Sequence, residues 1–73
     1  MTRPEDAQWN AGDLGCGELV MELRMRLRQM PGLTLKLTAT DAGASEDLPA
    51  WCRMTGNDLL SAEPPYFWIR ARP

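Results

Sequence analysis

The chain has 73 residues, 44% of them hydrophobic and 25% charged, with a net charge of −2 at pH 7. That is room for one domain with a modest core, and the composition is that of a folded globular protein rather than a disordered one. A net acidic chain is not built for stable nucleic-acid binding, and a chain with two cysteines and no histidine lacks both a zinc ligand set and a Cys-His catalytic pair.

The start, Met1-Thr-Arg-Pro-Glu-Asp, is polar, and residues 1–5 read as a mobile tail. No apolar h-region and no long apolar run are present, so a cytoplasmic setting without membrane contact is expected, where thiols stay reduced. Ala7 to Asn10 reads as a short strand around Trp9, and Gly12-Asp13 turns the chain toward Leu14-Gly15-Cys16-Gly17-Glu18.

From Glu18 to Met30 the period is helical. At 100° per residue, Leu19, Val20, Leu23, Leu27 and Met30 share an arc of about 100°, the expected core face. Arg24 and Arg28 lie just outside that arc and, four apart, are surface neighbours. Met21 and Met25 form a second stripe, which reads either as packing at the helix edge or as an adaptable partner surface. Pro31-Gly32 ends the helix.

Thr34 to Thr40 alternates strictly, with Leu35, Leu37 and Ala39 on one side, the pattern of a half-buried strand. Asp41 to Gly43 is a turn. Ala44 to Thr55 reads as a second helix with Leu48, Trp51, Cys52 and Thr55 at helical spacing and Gly56 at its end; Pro49 predicts an irregular first turn or a kink. Cys52 then belongs to the core. Asp58–Glu63 and Tyr66–Arg72 flank Pro64-Pro65 as a closing strand pair. Whether Phe67 and Ile69 or Trp68 and Arg70 face the helices is open. The order predicts an α/β (α+β) two-layer sandwich, βαβαββ, with both helices on one face of a four-stranded mixed sheet and its first two strands parallel.

Cys16 is the candidate reactive group. At a loop-to-helix junction the positive helix end favours a thiolate, and Gly15 and Gly17 leave the sulfur open to another protein's sulfur; Asp13 and Glu18 oppose the thiolate. No CxxC pair is present, so thioredoxin-type chemistry is excluded. An incidental exposed cysteine, a carrier working by thiol exchange and an oxidation sensor are all compatible with the residues.

Three segments together resemble the TusA/SirA-like family of small sulfur carriers, from about Asp6 to Arg72. They are the helix-opening Cys16 followed by Glu18, Val20, Met21 and Arg24; Pro31-Gly32 before an alternating strand; and Asp41 followed by Asp47-Leu48-Pro49-Ala50-Trp51-Cys52 and Gly56. The resemblance implies a single βαβαββ domain over 1–73 and a sulfurtransferase-like persulfide carrier without a cofactor. Its cysteine, matching Cys16, takes a sulfane sulfur from a donor protein (a cysteine desulfurase or a rhodanese-like protein) and passes it to an acceptor protein. Such relays serve tRNA thiolation, molybdoenzyme maturation or sulfur metabolism. Gly15, Gly17 and Glu18 would support the cysteine loop, and Arg24, Arg28, Met21 and Met25 would dock the partners of a monomeric carrier.

The family's Cys-Pro-x-Pro motif is here Cys16-Gly17-Glu18-Leu19, without either proline. Glycine for the first proline predicts a more mobile cysteine loop. Leu19 either adds apolar surface beside the thiol or joins the core. The missing prolines also keep open a non-catalytic interaction module on the same fold, with Cys16 structural or regulatory. A redox switch pairing Cys16 with Cys52 is opposed by the core placement of Cys52.

Overall fold

The computed structural model describes residues 5–73, apart from the side chain of Cys16. Six elements follow one another: β1 (Ala7–Gly12), α1 (Cys16–Arg28), β2 (Thr34–Ala39), α2 (Ala44–Thr55), β3 (Asp58–Glu63) and β4 (Tyr66–Arg70). This is the βαβαββ order that the sequence predicts. The sheet runs β1-β2-β4-β3, with β1 parallel to β2 and the β2–β4 and β3–β4 pairs antiparallel.

Alternation decides which side of each strand is buried. In β2, Leu35, Leu37 and Ala39 are buried, and their register partners in β4, Ile69 and Phe67, lie on the same face. That settles the open orientation of the last strand: Phe67 and Ile69 face the helices. Leu19, Leu23 and Leu27 of α1 and Ala44, Leu48 and Cys52 of α2 cover this face and complete one core. Each fully buried leucine contributes roughly 1.5–3 kcal/mol of transfer free energy, so the α1 stripe alone outweighs any single polar contact in the molecule.

The helix boundaries depart from the periodicity in an informative way. Helix α1 begins at Cys16, three residues before Leu19, the first apolar position that the spacing could register, and ends at Arg28 with Gln29 as its C-cap. Met30 therefore lies beyond the helix, half-buried against the core, and Val20 is half-exposed. The buried arc is narrower than predicted because the sheet is reached by only one leucine per turn. Helix α2 has the predicted bounds and stops at Gly56, whose φ of 79° is the left-handed C-cap geometry that glycine adopts without strain. Its first turn is irregular, as Pro49 suggested: the Gly43 carbonyl accepts from both Glu46 and Asp47.

The sheet face away from the helices is polar at its edges but holds one large aromatic. Trp68 is only 2% exposed there. Its indole N–H donates to Glu5 at 3.3 Å, and Lys36 lies 5.5 Å from its ring and 4.7 Å from that of Tyr66. Glu5 also accepts from Gln8 at 3.0 Å, so this residue is fastened to the sheet and is not part of a free tail; residues 1–4 lie outside the described residues. Alternation alone would have left Trp68 on the solvent side.

Candidate functional site

Strands β1 and β2 are parallel and each leads directly into a helix, so both helix N-termini lie at the carboxyl edge of that strand pair. In open sheets this edge is the usual place for a functional group. Cys16 stands there as the first residue of α1.

The segment leading to it is pinned by specific contacts. Asn10 accepts the Gly12 N–H on its side-chain oxygen at 2.8 Å, and Gly12 turns with a φ of 60°, in the left-handed region that favours glycine. The Gly12 carbonyl then accepts twice from Thr40, from the backbone N–H at 2.8 Å and from the hydroxyl at 2.9 Å. Leu14 packs half-buried against the core, and its N–H reaches the Ala11 carbonyl at 3.3 Å. Asn10, Leu14 and Thr40 thus hold the loop up to the residue before the glycines. Sequence reasoning missed all three; Asn-x-Gly at a strand end was the available signal.

Past Leu14 the hold is released. Gly15, Gly17 and Glu18 are exposed, and a Cβ at either glycine would meet no atom within 4 Å. Gly15 is the N-cap in extended conformation and has no side chain with which to cap the first turn of α1. The first regular helical bond runs from the Leu19 N–H to the Gly15 carbonyl at 2.9 Å. Leu19 itself has no exposed surface, which resolves its two readings: it belongs to the core. A proline at this position would lose both that bond and the leucine's burial. Glu18 is the acidic residue of the first turn, where a carboxylate is stabilised by the helix dipole and competes with any thiolate for it.

Cys52 has the opposite setting. It is 2% exposed, inside α2, and burial, with the charge of Asp58 adding to it, pushes its thiol up to about 11. A thiol so held is protonated at neutral pH and inert. Its predicted core role is what the structure places.

The four predicted docking residues separate into two groups. Met21 and Met25 are 69% and 59% exposed, which excludes packing at the helix edge and leaves two thioethers on the outer surface of α1. Arg24 and Arg28 instead line an open groove of about 480 Å³ between α1, the end of α2 and the C-terminal segment, together with Trp51, Thr55, Asn57 and Arg72. By helix rise Arg24 lies about 12 Å and Arg28 about 18 Å along the axis from Cys16. The arginines are therefore not part of the cysteine loop. Among the described residues no group of three or more His, Cys, Asp or Glu side chains could hold a metal ion, and no helix is long and apolar enough to cross a membrane.

A two-layer βαβαββ domain with a cysteine opening its first helix defines a recognisable class, and comparison with known proteins gives it a family. The family model described as "Sulfurtransferase TusA" matches residues 8–72. Sulfur carrier protein TusA of Pseudomonas paraeruginosa is 36% identical, the match covering 99% of this chain and 98% of that protein. That of Pseudomonas aeruginosa is 35% identical with the same coverage, and that of Pseudomonas savastanoi pv. phaseolicola 36% over 93% of this chain and 87% of its own length. The chain belongs to the TusA family.

Proposed function

We propose that this protein is a sulfur carrier that holds a sulfane sulfur as a persulfide on Cys16. The observation that carries the reading is the position of Cys16 as first residue of α1, between two exposed glycines, in a chain whose relatives are named sulfur carriers.

The chemistry needs only the chain's own sulfur. The Cys16 thiolate attacks the terminal sulfur of a donor protein's persulfide, a new S–S bond forms at Cys16, and the donor's cysteine leaves as a thiolate. An acceptor's thiolate reverses the sense of the exchange and takes the terminal sulfur on. No net oxidation or reduction occurs. The positive end of the helix dipole favours the attacking thiolate, while Gly15 and Gly17 add no side chain to a partner sulfur's path.

Donor and acceptor must approach the same end of α1. Exposed Met21 and Met25 offer them a surface that repacks against different partners, suited to a protein that serves two in turn. Donors of the cysteine desulfurase or rhodanese-like type fit this chemistry. Without the two prolines, the cysteine loop reaches its docked geometry from a wider ensemble, so exchange is slower rather than absent.

The test is sulfur loading by a persulfide donor, read by intact mass. Loading that requires Cys16 supports the carrier reading. Failure to load from both a desulfurase and polysulfide, with Cys16 unreactive toward alkylation at neutral pH, would instead favour the interaction module built on Met21, Met25, Arg24 and Arg28.

A further inference from the structure

The groove at the far end of the helices gathers three arginines. The chain carries ten acidic residues against eight basic ones, yet the groove is lined by Arg24, Arg28 and Arg72 and by no Asp or Glu, with Pro73 at its rim. Three cations outside the groove are engaged: Arg26 pairs with Glu22 at 3.1 Å and covers Trp9, Arg70 pairs with Asp58 at 2.7 Å, and Lys36 lies over two rings. Among the described residues Arg24, Arg28 and Arg72 have no ion-pair partner within 4 Å. Arg24 and Arg28, four apart on one helix, also repel each other until an anion sits between them.

The walls are organised around this charge. Arg72 is held in place by its backbone N–H, which donates to Asn57 Oδ1 at 2.9 Å, and by Nη1, which donates to the Thr55 carbonyl at 3.2 Å. Asn57 in turn donates to Thr55 Oγ1 at 2.8 Å, and Thr55 to the Trp51 carbonyl at 2.8 Å. The Thr55 carbonyl at the end of α2 is thereby satisfied, and the remaining N–H groups of the Arg72 fork are available. Half-buried Trp51 supplies a flat apolar wall beside the three guanidinium groups. A volume of about 480 Å³ lies within the range for small-molecule sites.

We propose that this groove binds a small phosphorylated aromatic ligand of the nucleotide class, its phosphate held by Arg24, Arg28 and Arg72 and its ring against Trp51. Guanidinium forks match phosphate oxygens bidentately and indoles stack on planar rings, so each half of the ligand has its own recognition element. The site is separate from the cysteine end of α1 and does not depend on the thiol chemistry.

The test is calorimetric titration of the full chain with AMP, adenosine, inorganic phosphate and a glutamate-rich peptide at low ionic strength. The indole N–H resonance of Trp51 is followed by NMR in parallel. Saturable AMP binding, with adenosine and phosphate each weaker by about tenfold or more, is expected. Arg24→Gln with Arg28→Gln should weaken AMP by about tenfold or more, while Arg53→Gln, removing a charge outside this groove, should not. All three glutamine changes lie on exposed positions, and circular dichroism checks that each variant is folded. Absence of AMP binding at about 1 mM, equal binding of phosphate alone, equal loss in Arg53→Gln, or binding of the acidic peptide in place of AMP would each overturn the proposal.

Discussion

The two cysteines of this chain stand on helices of nearly equal length in the same layer, yet they differ in position, and the proposed function gives them opposite chemistry. Cys52 lies within α2 on its core-facing stripe, where burial raises its pKa to about 11 and leaves it 2% exposed. Cys16 opens α1, after a loop fastened as far as Leu14 and between two exposed glycines. Residue type is the same; what differs is position along the helix. A cysteine inside a helix is committed to whichever face its phase dictates, whereas one at the start meets uncapped N–H groups and the space before the first turn.

The comparison breaks most directly on reactivity. At pH 7 Cys16 is expected to alkylate at least about a hundredfold faster than Cys52, whose labelling must wait for opening of the core; mass spectrometry of each site over time gives the ratio. Comparable rates would mean that the contrast in setting has no chemical consequence.

Stability should show the reverse asymmetry. Cys52→Ser places a hydroxyl in an apolar core and should cost about 1–3 kcal/mol, whereas Cys16→Ser should stay within about 0.5 kcal/mol. Urea unfolding of the two variants measures both.

The raised Cys52 pKa also sets a pH window. The fold favours the protonated thiol, so its contribution is fully present below the unfolded value of about 8.5 and is lost as pH rises toward about 11. Chemical denaturation across that range should show stability falling with pH, and Cys52→Ala should flatten the slope.

The smallest expected effect sharpens the other side of the comparison. Gly17 lies inside the first turn with open space where a Cβ would sit. Gly17→Ala should therefore stabilise the protein by about 0.5–1 kcal/mol, read by urea unfolding, through the backbone entropy that glycine loses on folding. If the flexible loop is what limits sulfur exchange, the same change should speed loading.

Much of this was legible in the residues because periodicity reports burial. The alternation of Leu35, Leu37 and Ala39 and the helical spacing of Leu48 and Cys52 located β2 and α2 with bounds within a residue of those found. The start of α1 was less legible, since Cys16 and Gly17 carry no apolar signal and their helical state follows from the loop tied down by Thr40 and Leu14. Long-range contacts account for what was missed. The fastening of Glu5 to Trp68 joins residues far apart in sequence. The groove unites Arg24 and Arg28 with Trp51 and Arg72 from two other segments, and no local pattern announces that. Helical adjacency groups Arg24 and Arg28 with Met21 and Met25 but does not show that the arginines also line the groove.

The measurement that bears most directly on the central claim is intact mass after incubation with a cysteine desulfurase and cysteine, for the wild type, Cys16→Ser and Cys52→Ala. The account predicts a gain of one sulfur in the wild type and in Cys52→Ala, and none in Cys16→Ser. Retention of the added sulfur in Cys16→Ser, or its loss in a folded Cys52→Ala, would contradict it.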